Sequence, residues 1–208
     1  MIMLECDIVK KYKRGYKKML KNCKKIITSI KQQMPERSIE SAIHLADVLI
    51  KALEIDRYPI PIVSILNDLG FSVLITDIPK LNISGFIVVS PDLKESFGTD
   101  KVITVAKNDT TGRQRFTYAH EFAHYLFDFH EDESMFFLNT YDTNQSNTAE
   151  EKIPSRFAAE FLMPKDLFIK RYKELNEMTN YERISQLVDD FNVTTKAVIK
   201  RCEELQLK

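Results

Sequence analysis

His120-Glu121-Phe122-Ala123-His124 places two imidazoles four residues apart with a carboxylate beside the first. On a helix, positions i and i+4 share a face, so His120 and His124 can reach one metal ion. Glu121 is then placed to take a proton from a water activated by that ion. The chemistry served by such a set is metal-assisted hydrolysis. A structural zinc site has no need of the base, so an intact Glu121 favours a working site.

Such a run works only if its surroundings are helical and half-buried. Residues 113–120 lead into it without proline or glycine, and Thr111-Gly112-Arg113-Gln114 fits a capping box, with Thr111 at the cap and Gln114 three positions on. Phe116, Ala119, Ala123 and Phe127 follow helical spacing and predict a buried stripe beside the histidines. A catalytic zinc takes three protein ligands and leaves one position open. His130 stands six residues past His124, but Phe127 fills the position where such a spacing needs a glycine to turn the chain. The other source is the next helical segment, running from Glu150 to Pro164. Pro154 is tolerated in a first helical turn, which places Glu151 at or just before the start, with Glu150 and Glu160 as alternatives. A His₂-carboxylate set suits zinc, and it also suits Mn²⁺ or Fe²⁺.

The elements around this segment read as α+β. A helix capped by Ser38 or Ser41 carries Ile43, Leu45, Ala46, Val48, Leu49 and Leu53, and Tyr58-Pro59-Ile60-Pro61 ends it. A short helix over about 62–69 stops at Gly70. Residues 71–75, 86–89 and 102–105 are short, apolar and rich in β-branched residues, which predicts a small three-stranded sheet packed on helices. An edge strand beside the site would be able to pair with an extended peptide. Three units follow: a basic helical extension over 1–40, a central domain over 41–170 and a helical subdomain over 171–208.

Composition narrows the class. The 208 residues are 44% hydrophobic and 29% charged with no net charge, as in an ordinary folded domain. Residues 1–31 hold ten Lys or Arg against Glu5 and Asp7, whereas residues 128–151 carry seven acidic residues and no Lys or Arg. A solvated helix face accounts for the basic arm without a partner. Cys6, Cys23 and Cys202 lack CxxC spacing, so a reducing, cytoplasmic setting is expected rather than a disulfide scaffold. No run is apolar enough to span a membrane.

Two linked motifs make a resemblance specific. Arg115-Phe116-Thr117 running into HExxH, followed by Phe157-Ala158-Ala159-Glu160-Phe161-Leu162-Met163-Pro164, resembles the ImmA/IrrE group of bacterial metallopeptidases over about residues 45–170. The resemblance implies a zincin-like fold, zinc on His120 and His124, Glu121 as catalytic base, and Glu151 at the position of the family's glutamate. Pro154-Ser155 stands where the family usually has Ala-Asn. It further implies a site-specific endopeptidase acting on a helix-turn-helix repressor of the kind that controls mobile elements, stress responses or toxin–antitoxin operons. An oxyanion donor would come from Tyr118, Tyr141 or Arg156.

Residues 184–201 have the cadence of a helix-turn-helix, with Thr194 as a cap and Lys196, Lys200 and Arg201 on the second helix. Asp189 and Asp190 oppose phosphate binding. A helical hairpin packed through Leu187, Val188, Phe191, Val193, Val198 and Ile199 is the simpler expectation. The competing functions are a DNA-binding regulator with a structural or vestigial metal site, and a regulator that sequesters a protein without cutting it.

Overall fold

Ser38 opens the first helix, its hydroxyl accepting the Ser41 N–H at 3.1 Å. The chain is described by a computed structural model over residues 37–78, 83–129, 134–140 and 149–207. The basic arm, His130 and Tyr141 fall outside these residues, and the side chain of Glu150 is not described. Helix α1 (Ile39–Ala52) buries Ala42, Leu45, Ala46 and Leu49, one stripe at helical spacing. After the proline-containing link comes α2 (Ile62–Asp68), and Gly70 turns the chain with φ +86, a conformation that suits glycine. The remaining elements are β1 (Ser72–Thr76), β2 (Ile83–Val89), α3 (Leu93–Phe97), β3 (Lys101–Ala106), α4 (Thr111–Asp128), β4 (Met135–Thr140), α5 (Ala149–Leu162), α6 (Lys165–Glu174), α7 (Asn180–Phe191) and α8 (Thr195–Glu204).

The α+β class holds, with a mixed sheet of four strands where three are read from the sequence. The order is β1-β3-β2-β4, with β1 parallel to β3 and β2 antiparallel to both its neighbours. The additional strand, β4, begins with the run Met135-Phe136-Phe137, which follows an acid-rich stretch and lacks the alternation that marks a half-buried strand. Along β2 and β3 the period of two puts Gly85, Ile87, Ile103 and Val105 on the face that meets α4, and the three branched residues are fully buried.

The helix α4 lies against β2, β3 and β4 on one side and α5 on the other, with α1 packed on α5 beyond. Its cap is Thr110, one residue earlier than the capping-box reading, because Thr110 Oγ1 accepts the Arg113 N–H. Gln114 has a different job: its amide donates to the Ala106 carbonyl at 2.9 Å and ties the helix to the end of β3. Ala119 and Ala123 are fully buried as the stripe predicts, and Phe122 and Leu126 are buried beside them, while Phe116 and Phe127 are only partly covered.

Pro154 sits at the sixth position of α5, not in its first turn. The helix therefore begins nearly a turn earlier than the proline rule suggests, at the cost of one ladder bond to the carbonyl four residues back. In the C-terminal hairpin, Thr194 is the cap of α8, as expected, and Leu187, Phe191, Val193 and Val198 are buried. Ile199 does not join them and is 45% exposed. Arg201 is not a surface cation. It is buried against Glu160, donating from Nη1 to Oε1 at 2.7 Å and from Nη2 to Oε2, with Nε donating to the Met163 carbonyl. Glu160 is thereby committed to α8, and Arg156 joins the same network through Glu160 and Glu204.

Two expected outcomes follow from this packing. A methyl group at Gly85 would stand 2.5 Å from Thr117 Cγ2 and 2.6 Å from the Thr104 carbonyl oxygen. Gly85→Ala should therefore cost about 1–3 kcal/mol in urea unfolding, with Thr117→Ser restoring only part, since the carbonyl contact remains. Removing Arg201 leaves the Glu160 carboxylate with Arg156 alone as its ion partner, so Arg201→Ala should cost about 3 kcal/mol in the same measurement, the lower end for a broken buried pair. The double change Arg201→Met with Glu160→Gln should cost less than the single truncation.

Candidate metal centre

Eighteen residues of α4 bring the two histidines to the same face, and both are almost wholly buried. Their Nε2 atoms stand 3.2 Å apart. Glu151, in the first turn of α5, closes the triangle: its Oε2 is 3.0 Å from His120 Nε2 and its Oε1 is 3.7 Å from His124 Nε2. These three residues are the set of His, Cys, Asp and Glu side chains able to hold a metal ion among the described residues.

The donor chemistry fits a divalent cation. Atoms about 2.0–2.1 Å from a zinc at tetrahedral corners stand roughly 3.3 Å apart, close to the 3.0 and 3.2 Å separations observed. Three basic atoms converge here, and a single proton cannot sit well between all of them, whereas one cation satisfies them together. Glu151 is the right partner electrostatically. Burial raises its carboxyl pKa, but the hydrogen bonds and charges of His120 and His124 outweigh that and hold it well below the usual carboxylate range.

The two rings are not equivalent. Burial lowers the His120 pKa, and the neighbouring His124 charge adds to that, against the opposing pull of Glu151. Burial also works against charge on His124, but hydrogen bonds to Asp128 and Glu151, together with the Glu121 charge, raise it to about 9. The Asp128 carboxylate lies 2.8 Å from His124 Nδ1 through Oδ2, and its Oδ1 pairs with Arg37 Nη1 at 3.1 Å. Behind His120, the Ser155 hydroxyl lies 3.3 Å from Nδ1. Phe137 of β4 stacks on the His124 ring, with centroids 4.4 Å apart and planes 16° from parallel.

The structure therefore brings His120, His124 and Glu151 together and buries Glu121 completely beside them. The alternative ligand Glu160 is excluded by its Arg201 and Arg156 partners. Of the oxyanion candidates, Arg156 is paired with Glu160 and Glu204. Tyr118 stands two residues before His120, which is about 200° around the helix, and burial pushes its hydroxyl pKa up to about 12. Tyr118 therefore lies on the far side of α4 from the ligands, and Arg156 is committed to its carboxylate partners. Asp128, Ser155 and Phe137 are not singled out by the sequence reading. The first two carried a signal, being four residues beyond His124 and Glu151 respectively and so on the same helix faces. Phe137 carried none, since its place depends on β4 pairing with β2.

No curated protein matches the chain. Among solved structures, one described as a Mycobacterium tuberculosis transcriptional regulator is similar, with a TM-score of 0.52 and 19% identity, over 79% of this chain and 46% of that one. This chain thus spans less than half the length of that structure, and the likeness is one of fold. The Peptidase_M78 model, described as the IrrE N-terminal-like domain, matches residues 66–203, which takes in the HExxH helix, the Glu151 helix and most of the C-terminal hairpin. By that match the chain belongs to the Peptidase_M78 family, whose metallopeptidase-like fold carries here a possible His120–His124–Glu151 metal site.

Proposed function

We propose that this chain is a zinc-dependent, site-specific endopeptidase of the cytoplasm whose substrate is a helix-turn-helix repressor. The observation that carries the reading is the convergence of His120 Nε2, His124 Nε2 and the Glu151 carboxylate, with Glu121 buried one residue from the first ligand. A divalent ion held by those three residues supplies Lewis acidity toward water and toward a scissile carbonyl.

The chain's own groups supply the rest. Glu121 would take a proton from the attacking water and pass it to the leaving nitrogen as the C–N bond breaks, leaving the water oxygen on the carbonyl carbon as the new carboxyl group. Phe137 covers one face of the His124 ring and keeps bulk water off it. The His120 and His124 side chains are 3% exposed and Glu151 is 24% exposed, so a substrate approaches from the α5 side.

The repressor as substrate rests on membership of the family and on the resemblance of the two linked motifs. Direct DNA binding is the weaker reading, because the α8 cation set is reduced: Arg201 is buried against Glu160, leaving Lys196 and Lys200 on the surface. Salt-dependent binding of duplex DNA by the full chain would bring that reading forward.

Two measurements test the proposal. Calorimetric titration of metal-stripped protein should give one zinc per chain, lost in His124→Ala and weakened in Glu151→Ala. Incubation with helix-turn-helix repressors from the same cell, read by mass spectrometry of intact proteins, should show a single cut. Glu121→Gln should slow that cut by at least about 10²-fold while keeping the zinc. Cleavage undiminished in Glu121→Gln would rule out its role as the base.

A further inference from the structure

The proposed ligands account for the inner edge of each histidine ring but not for what holds the outer edge, and the two rings are backed differently. His120 Nδ1 meets a hydroxyl, Ser155 Oγ, at 3.3 Å, whereas His124 Nδ1 meets a carboxylate oxygen, Asp128 Oδ2, at 2.8 Å. The second is the shorter contact and the charged one, and an ionised acceptor makes the stronger hydrogen bond. Asp128 is no ligand itself, because it lies across the ring from Nε2, the atom that faces His120 and Glu151.

We propose that Asp128, with Arg37 behind it, is the positioning pair that sets the tautomer and orientation of His124 and thereby the metal affinity of the site. The inference rests on the metal reading above and deepens it. A carboxylate accepting from Nδ1–H leaves the Nε2 lone pair directed into the triangle and makes that nitrogen the more basic donor. Asp128 reaches the ring because it is the last residue of α4 and four positions beyond His124, on the same face. Left alone, its side chain would turn toward solvent at a helix end. Arg37 Nη1 takes the other oxygen at 3.1 Å, and the Asp128 side chain is only 11% exposed, so the carboxylate is clamped from both sides. Phe137 stacks on the ring face, and the Asp128 hydrogen bond opposes the χ2 flip that would exchange Nδ1 with Cδ2 and turn Nε2 out of the triangle.

Arg37 also sits immediately before Ser38, the cap of α1. The clamp therefore joins the start of α1 to the end of α4, two elements otherwise bridged through α5. Loss of the arginine should leave Asp128 in reach of His124 but less fixed, giving a smaller effect than loss of the carboxylate.

The test is metal affinity of the full chain, measured by zinc competition against a chromophoric chelator, with the visible spectrum of the Co²⁺ form as a second readout. Asp128→Asn should weaken zinc binding by about 10–100-fold and shift the Co²⁺ bands, Asp128→Glu should recover part of the loss, and Arg37→Ala should fall between wild type and Asp128→Asn. Ser155→Ala should change affinity less than Asp128→Asn. Thermal melting of the metal-free variants shows whether each is folded, and Arg37→Ala and Asp128→Glu keep the question open to test if Asp128→Asn is not. Asp128→Asn binding zinc within twofold of wild type, while His124→Ala abolishes binding, would overturn the positioning role and leave the metal reading standing. Absence of saturable zinc binding in wild type would overturn both.

Discussion

The position of α4 is the constraint on which the rest depends. Close contacts at its first turns fix it, and two of them need the absence of a side chain. At Gly85 the strand β2 comes so close that an added methyl group would overlap Thr117, one turn before His120. At Gly112, in the first turn of α4, an added methyl group would lie 2.6 Å from the backbone of Val193, in the turn between α7 and α8. Arg115 then hooks both neighbours at once, donating to the Asn192 carbonyl at 3.0 Å and the Ile60 carbonyl at 2.7 Å. The helix is thus held by the sheet on one side and by two links of the chain at its start. The histidines follow from that placement, since their directions are set by the helix and not by their own contacts alone.

The second ligand-bearing helix is fixed by a different force. Phe122 of α4 and Phe157 of α5 meet edge to face with centroids 6.0 Å apart, which sets how near the two helices come. Glu160, on the same helix as Glu151, is paired with Arg201 of α8 inside the core. A buried ion pair offers little net stability against a well-packed apolar substitute, but it is intolerant of any arrangement in which the partners separate. Its value here is register: α5 cannot slide or turn along α8 without breaking it. The C-terminal hairpin therefore belongs to the support of the metal centre, and the family match running through residue 203 is consistent with this dependence.

What was legible in the sequence was local. The helix cap read as Ser38 or Ser41, the Thr194 cap, the Gly70 stop and the segments read as strands all rest on interactions within a few residues; Ser38 is the cap, and those segments are three of the four strands. Glu151 was reached through the linked-motif resemblance, since residue spacing alone left Glu150 and Glu160 open. The misses are tertiary. Strand β4 forms because β2 offers it an edge, not because its own residues alternate. Arg201 reads as a surface cation because three basic residues share one helix, yet its burial is decided by Glu160, 41 positions away. Pro154 reads as a helix start, but α5 continues through it, because packing on α4 and α1 outweighs one missing backbone bond.

Access to the centre is set by the same architecture. Among the described residues β4 pairs with β2 and with no other strand, so it forms one edge of the sheet, the one beside the metal site. Its alternation splits the strand's work: Phe137 turns inward onto His124, while Phe136 is 59% exposed on the opposite face beside Phe86. A peptide that added to this edge by backbone pairing would have to be extended, and it would lie on the strand that carries Phe137 onto His124.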